Sequence, residues 1–259
     1  MVVRVEIYDW NGTADRAKDE NSYLRYVIAQ LIGDLGSGIA GVQLADGRPQ
    51  LSLNLTLRSD LPLDELRAKV EALVPSYPIG RREGVNHPLL KRARVARRKG
   101  IVTGILSAGW TDLIATILQN DDYLENPGKP DAFDFIIANE WAFNPPKARS
   151  GYASLEFQQG VYGEKGQILK KLFEDRRAFQ RLGLSVCGNI ACLDGIDISE
   201  AAYIGDSTDD FSAMDVVGYP ALSPIADPEF IARAERRYGS RLFRNYRRLA
   251  DHWEGIDLR

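Results

Sequence analysis

The first residues of the chain form a short apolar run that ends at an acidic residue. Residues 2–8 are rich in β-branched and aromatic side chains, a pattern typical of a strand. The run stops at Asp9, and the polar segment that follows contains Gly12, so we predict a loop at the carboxyl end of this strand. A carboxylate in that position is expected to be exposed at the edge of a sheet.

Residues 14–86 carry a hydrophobic pattern of their own. Within residues 21–33 the apolar side chains recur at the spacing of one helical face. Residues 51–57 alternate strictly between leucine and polar side chains, which predicts a half-buried strand. Residues 62–73 return to helical spacing, with Pro62 near the start. This part of the chain is therefore predicted to form a mixed α/β module.

From residue 87 onward the pattern alternates between helices and strands. Residues 89–99 form a basic amphipathic helix, whose charged side chains we interpret as a solvated face. After it we predict a strand over 101–106, a helix over 111–119, a strand over 132–137, an irregular segment or hairpin over 144–160, a helix that opens at 163–166, and a strand over 201–204.

Short apolar strands that alternate with helices predict an α/β fold with a parallel sheet covered by helices on both faces. Ligands of such sheets bind outside the carboxyl ends of the strands. Asp9, Ser107 and Asp206 each follow a predicted strand directly. The pattern therefore predicts one candidate site made by these three residues.

Composition and charge narrow the classes of partner. The chain has 259 residues, of which 44% are hydrophobic and 27% charged, enough for one good core and a smaller second one. A formal net charge of -3 gives no general reason to bind nucleic acid or an anionic membrane. No apolar stretch reaches the roughly 20 residues that a bilayer span needs, and the two histidines lie far in sequence from the two cysteines, so we predict no zinc site. We expect a cytoplasmic protein with a small-molecule partner.

Four short polar motifs occur at the predicted strand ends and helix starts. They are Asp9-Trp10-Asn11-Gly12-Thr13, Leu106-Ser107-Ala108-Gly109, Gly163-Glu164-Lys165-Gly166 and Gly205-Asp206-Ser207-Thr208-Asp209-Asp210. In this order they resemble the four dispersed motifs of the haloacid dehalogenase superfamily, and the stretch from Asn139 to the third motif is similar to its phosphoserine-phosphatase-like branch.

The resemblance implies a Rossmann-like sheet and a magnesium-dependent phosphatase of small phosphate monoesters. A carboxylate can attack phosphorus and hold a metal in line, and magnesium prefers hard oxygen ligands. A hydroxyl and a fixed cation neutralise the phosphoryl oxygens. By resemblance, the catalytic residues are Asp9, Ser107 and Lys165; Ser107, Ala108 and Lys165 bind substrate; and Asp9, Asn11 through its carbonyl, Asp206 and Asp210 hold Mg²⁺.

Asn11 departs from the pattern of the family, whose phosphatases have a second aspartate at this position to move the proton of the leaving group. An amide cannot do so, and general acid–base catalysis is worth about 10²–10⁴ in rate. The departure leaves open a weakened phosphate-binding or regulatory protein. Trp10 leaves open a phosphonatase, although no Schiff-base lysine is identified, and the acidic motif that ends at Asp210 disfavours a dehalogenase.

The long interval between Asp9 and Ser107 predicts a cap inserted after the first motif. We accordingly assign residues 1–13 and 87–259 to the catalytic core and residues 14–86 to a smaller mixed α/β cap. Closure of a cap over the site would exclude water and select the leaving group. The glutamate and arginine that recognise an amino acid in phosphoserine phosphatases have no match there, so the sequence leaves the leaving group open.

Overall fold

The structure is a computed structural model, in which nine strands and five α-helices are described. It describes residues 2–10, 13–14, 54–59, 68, 72, 87–111, 114–115, 118, 132–139, 141–144, 153–158, 161, 164–182 and 184–253. The strands are β1 (Val5–Tyr8), β2 (Asn54–Ser59), β3 (Val102–Trp110), β4 (Phe135–Asn139), β5 (Trp141–Asn144), β6 (Ala153–Gln158), β7 (Ser185–Gly188), β8 (Ala201–Gly205) and β9 (Tyr219–Leu222). The helices are α1 (His87–Arg98), α2 (Lys165–Glu174), α3 (Arg176–Gln180), α4 (Phe211–Val216) and α5 (Pro228–Tyr238).

Six of these strands form one sheet, in the order β7-β4-β3-β1-β8-β9. Neighbouring strands from β4 to β9 in this order run parallel, and β7 joins the edge antiparallel to β4. The parallel strands are short and almost wholly buried, as expected for strands covered on both faces. The predicted α/β class with a Rossmann-like sheet is confirmed, and the antiparallel edge strand is an addition to it.

Side chains of β1 point alternately to the two faces of the sheet. Val5 and Ile7 belong to a large apolar cluster with α2, α4 and α5. Glu6 and Tyr8 face the opposite side, where Glu6 pairs with Arg92 of α1. Both faces of the sheet are therefore covered, and β1 lies in its interior.

The basic helix α1 differs from its prediction at Arg92. Its guanidinium group donates to the carboxylate of Glu6 at 2.6 Å and lies 5.3 and 4.9 Å from the ring centres of Tyr246 and Trp253, while Lys91 is exposed. Tyr8 and Trp253 also donate to Glu6. The interpretation of a wholly solvated basic face was wrong here, because a buried glutamate on β1 needs a cationic partner.

A second sheet has three strands, in the order β2-β6-β5, all antiparallel. It confirms a strand near the one predicted over 51–57. The hairpin of β5 and β6 begins at Trp141, before the segment 144–160 that was predicted to be irregular or a hairpin. A strand of the predicted cap thus pairs with a hairpin from outside residues 14–86. The rest of the predicted cap lies outside the described residues, apart from residues 14, 68 and 72, so the domain boundaries stay a prediction.

None of the helices in the described part of the chain combines the length and the apolar character that a bilayer crossing requires.

Candidate active site

Strand register brings the first and last motifs together. Tyr8, the last residue of β1, lies opposite Ile204 of β8 and Ile105 of β3. Asp9 continues this line, and its N–H donates to the carbonyl of Ile204 at 3.0 Å. Because the strands are parallel and adjacent, the chain leaves each of them at the same edge of the sheet.

Three carboxylates meet at this edge. Asp9, Asp206 and Asp210 each offer an oxygen within 4.8 Å of the others, a grouping that suits a metal ion. The ammonium group of Lys165 lies between two of them, 2.7 Å from Asp9 Oδ1 and 2.6 Å from Asp210 Oδ1. Three predicted metal ligands and the predicted lysine are therefore in one cluster.

The expectation that Asp9 is exposed was wrong. Only 5% of Asp9 and 3% of Lys165 are exposed. Asp9 leaves a strand in the middle of the sheet, and Lys165, the first residue of α2, lies directly against it. Burial strengthens the attraction between the two charges, because the effective dielectric constant is lower there than in water.

Asp210 is held by donors on both of its oxygens. Oδ1 accepts from Lys165 and from the hydroxyl of Tyr203, and Oδ2 accepts from the backbone N–H groups of Asp206 and Ser207 at 2.9 and 3.2 Å. A Cβ on Gly205 would lie 2.5 Å from Asp210 Cγ, so only glycine permits this approach. The Asp210 carboxylate is a fixed part of the loop.

Lys165 is placed by the contact between α2 and α4. Gly166 packs so closely on α4 that an added Cβ would lie 2.1 Å from the carbonyl oxygen of Ser212. Ile168, Leu169 and Leu172, on the same helix, are buried in the apolar cluster. The helix is therefore fixed at its first turn, where the lysine is.

The cluster is electrostatically unbalanced. Burial raises the pKa of Asp9 to about 7, with a further increase from Asp210 and an opposing effect of Lys165. Burial, together with the charges of Asp9 and Asp210, raises the pKa of Asp206 to about 8. Burial alone would lower the pKa of Lys165, but the carboxylates of Asp210 and Asp9 raise it well above its ordinary value.

These observations fit a divalent cation. The oxygens are hard donors, and in the described chain three carboxylates share the one ammonium group of Lys165 in this cluster. The remaining predicted ligand, Asn11, lies outside the described residues.

Ser107 and Ala108 lie in β3, next to β1 in the sheet. Ser107 is buried, and its Oγ accepts from the N–H of Gly109 at 2.9 Å. Asn139, at the end of β4, donates to the carbonyl of Ala108 at 2.7 Å and accepts from the N–H of Val161 at 3.0 Å. One buried amide thus ties the Ser107 segment to the chain that leads into Lys165. The contacts of Ser107 and Ala108 with a substrate stay predictions.

Sequence patterns missed two supporting side chains. Thr13 Oγ1 donates to Asp206 Oδ1 at 3.1 Å, which joins the first and last motifs. Thr13 belongs to the first motif, so its position there was a usable signal. Tyr203 is fully buried in β8, and burial, followed by the charge of Asp210, raises its pKa well above the ordinary value. A buried tyrosine hydroxyl needs a partner, but the sequence does not show which.

Comparison with known proteins supports the fold. No protein-family model matches the chain, and no curated protein matches it. Among solved structures, a substrate-bound phosphoserine phosphatase matches with a TM-score of 0.50 and 13% identity, covering 98% of this chain and 100% of that one. A Bordetella pertussis Tohama I protein of unknown function matches with a TM-score of 0.48 and 12% identity, covering 94% of this chain and 99% of that one. A phospho-aspartyl intermediate analogue of phosphoserine phosphatase matches with a TM-score of 0.45 and 15% identity, covering 86% of this chain and 87% of that one.

The fold is therefore the one that the resemblance to the haloacid dehalogenase superfamily implied. The substrate-bound phosphoserine phosphatase is one solved structure with this fold, and the match covers 98% of this chain. At this level of identity the likeness concerns the fold, and the activity has to be argued from the site itself.

Proposed function

We propose that this protein is a magnesium-dependent phosphatase that hydrolyses a small phosphorylated metabolite through a phosphoryl group carried on Asp9. The observation that carries the proposal is the buried ammonium group of Lys165, which donates to Asp9 at 2.7 Å and to Asp210 at 2.6 Å inside a cluster of three carboxylates. A fixed cation beside a carboxylate nucleophile is what phosphoryl transfer requires. A phosphoserine phosphatase shares the fold, which makes phosphate monoesters the first substrates to test.

Asp9, Asp206 and Asp210 are the described residues that would hold Mg²⁺, together with the carbonyl of Asn11. A bound magnesium ion supplies positive charge that offsets the carboxylates and the oxygens of a substrate phosphate. Thr13 orients Asp206 by its hydrogen bond, and the loop N–H groups orient Asp210.

The chain's own residues then carry out two displacements. An Asp9 oxygen attacks phosphorus, the bond between phosphorus and the leaving oxygen breaks, and that oxygen takes a proton from solvent. Lys165 and the segment of Ser107 and Ala108 hold the phosphoryl oxygens during this step. Water next attacks the phosphorus of the aspartyl-phosphate, loses a proton to solvent and releases inorganic phosphate, which restores the Asp9 carboxylate.

Asn11 favours a second candidate function. Without a carboxyl group at this position, neither displacement receives general acid–base help from the first motif. A protein with this site could bind a phosphorylated metabolite and magnesium and turn over too slowly to act as an enzyme. Tight binding without turnover, unchanged by Asn11→Asp, would identify this second function.

The test is release of inorganic phosphate from a panel of small monoesters, with and without Mg²⁺. We expect metal-dependent release from at least one of them and none from Asp9→Asn. Asp215→Asn is the matched control, because Asp215 pairs with Arg237 outside the site, and it should behave as the wild type. Absence of release from the whole panel, or equal release by Asp9→Asn, would refute the catalytic proposal.

A further inference from the structure

Tyr203 lies in β8 with its hydroxyl group at the base of the acidic cluster. The hydroxyl lies 2.9 Å from Asp210 Oδ1 and 3.4 Å from the carbonyl oxygen of Leu106. A tyrosine hydroxyl has one proton to donate, so the shorter contact with the carboxylate is the main bond. The side chain has no exposed surface, and solvent cannot replace either partner.

The two oxygens of Asp210 are held in different ways. Oδ2 is fixed by two backbone N–H groups, which belong to the loop itself. Oδ1 accepts from Lys165, a long and flexible side chain, and from Tyr203, a rigid one. Of these two Oδ1 donors in the described chain, Tyr203 is therefore the one that can hold this oxygen in place independently of the lysine.

The position of Lys165 depends in turn on that oxygen. Its ammonium group is 2.6 Å from Asp210 Oδ1 and also lies 5.8 Å from the centre of the Tyr203 ring. A shift of Oδ1 would draw the ammonium group away from Asp9, to which it also donates.

We propose that Tyr203 is a positioning residue of the site: its hydroxyl holds Asp210 Oδ1, and Asp210 holds the Lys165 ammonium group where a phosphoryl group binds. This role rests on the proposed function, because the placement of Lys165 matters to catalysis only if a phosphoryl group is transferred there. The hydroxyl oxygen also lies near the carbonyl oxygen of Leu106, the residue before Ser107.

The test compares Tyr203→Phe with Tyr238→Phe. Phenylalanine keeps the ring against Lys165 and removes only the hydroxyl group. Tyr238 is the matched control, since it is also buried and its hydroxyl donates to a carboxylate, that of Asp215, outside the site. Three quantities are measured on each folded protein: the Kd of inorganic phosphate in the presence of Mg²⁺, the rate at which acetic anhydride modifies Lys165, followed by mass spectrometry, and the melting temperature.

For Tyr203→Phe we expect the phosphate Kd to rise about tenfold, as for loss of one hydrogen bond to a charged group. We also expect Lys165 to be modified several times faster, because its ammonium group is less firmly held. Tyr238→Phe should change only the melting temperature. If Tyr203→Phe likewise lowers only the melting temperature, the hydroxyl merely supports packing and the positioning role is wrong.

Failure of the proposed function gives a different result. In that case the wild type neither binds phosphate with Mg²⁺ nor releases it from any monoester. The rate of Lys165 modification is then the only test of whether Tyr203 positions Lys165. A faster rate in Tyr203→Phe alone supports this role, and equal rates in the two variants overturn it.

Discussion

At the scale of single residues, the site is defined by an excess of negative charge. Three carboxylates face one ammonium group in a buried place, and two of them, Asp9 and Asp206, have raised pKa values. Such a site holds its protons in the absence of a metal and exchanges them for a cation. Its stability should therefore depend on both pH and magnesium.

The metal-free protein should become less stable as the pH rises. The pKa of Asp206 is about 8 in the folded chain and about 4 in an unfolded one. The folded chain therefore binds this proton more tightly, and the stabilisation from it is complete below about pH 4 and is lost as the pH rises through 8. We expect the melting temperature without metal to fall between about pH 4 and pH 8, and added Mg²⁺ to restore it. Thermal melts across this range provide the measurement.

Asp206→Asn is the control for that measurement. The amide does not titrate, so the fall in melting temperature should be smaller and the response to Mg²⁺ weaker. An equal slope in the wild type and the variant would show that the pKa of Asp206 is not raised in the folded chain.

Asn11 leads to a prediction in the opposite direction, a gain of activity. A carboxyl group at this position could protonate the leaving oxygen and later activate water, and such help is worth about 10²–10⁴ in rate. We expect Asn11→Asp to increase kcat for phosphate release by up to about 10²-fold. Asn11→Gln, which restores no acid, should give no increase. Equal rates for both variants would mean that proton transfer does not limit the reaction.

The residues that meet in the cluster were predictable at this scale, but the side chains that hold them in place were not. Asp9, Lys165, Asp206 and Asp210 could be predicted because each stands in a short motif at the end of a predicted strand or the start of a predicted helix. Tyr203 could not be predicted, because its partners lie in the following loop and in β3, which is separated from β8 by β1, and only the order of the strands brings them within reach.

At the scale of elements, the contact between α2 and α4 positions the first turn of α2, which contains Lys165. Glycine to alanine in a helix ordinarily stabilises by about 1 kcal/mol. At Gly166 the new Cβ would overlap the carbonyl oxygen of Ser212, so we expect the opposite sign, a loss of about 1–3 kcal/mol. Phosphate release should fall as well, because the helices separate. Urea unfolding measures the first effect.

Gln167→Ala is the control for Gly166→Ala. Gln167 is the next residue of the same helix and is exposed. Its replacement should leave stability and phosphate release nearly unchanged. A Gly166→Ala protein as stable as this control would mean that the two helices are not in the close contact described.

The pairing of β1 with α1 leads to a second stability prediction. Arg92 has 10% and Glu6 0% of its side chain exposed, and the two form an ion pair at 2.6 Å. Arg92→Ala leaves Glu6 buried without its cation, so we expect a loss of about 3–5 kcal/mol in the free energy of unfolding. Urea titration followed by circular dichroism would measure it.

Arg233→Ala is the control for Arg92→Ala, because it removes an ion pair that is exposed to solvent. Its ion pair with Glu229 is 3.9 Å long, and 48% and 85% of the two side chains are exposed. Such pairs contribute about 0–1 kcal/mol. If the free energy of unfolding falls by the same small amount in both arginine variants, the ion pair between Arg92 and Glu6 does not stabilise the packing of α1 on the sheet.

Elements were predictable where the pattern was strong and local. The strand before Asp9 follows from its β-branched and aromatic residues, and the strand before Asp206 follows from an apolar run. The antiparallel direction of β7 and the pairing of β2 with β6 depend on residues far apart in the sequence, which periodicity does not report. Arg92 could not be singled out for the same reason: its pattern is that of a solvated helix face, and its partner Glu6 lies on a strand far away in the sequence.

At the scale of the whole molecule, the order of the strands explains the site. β1 lies between β3 and β8, so the segments after three strands meet at one edge, and α2 contributes the lysine from the next layer. In the separate sheet, β2, which precedes β3 in the sequence, pairs with β6, which follows β3 and also pairs with β5. The predicted cap therefore has a structural connection to the segment that precedes Lys165.

The most direct test of the central claim is detection of the phosphoryl group on Asp9. The protein is mixed with Mg²⁺ and a reactive phosphate monoester, quenched with acid and digested, and the peptides are analysed by mass spectrometry. Since Asn11 gives no acid–base help to hydrolysis of the aspartyl-phosphate, we expect the intermediate to accumulate on the peptide that contains Asp9 and to be absent from Asp9→Asn. Phosphate release with no phosphoryl group on that peptide, or an equal signal from Asp9→Asn, would contradict the account.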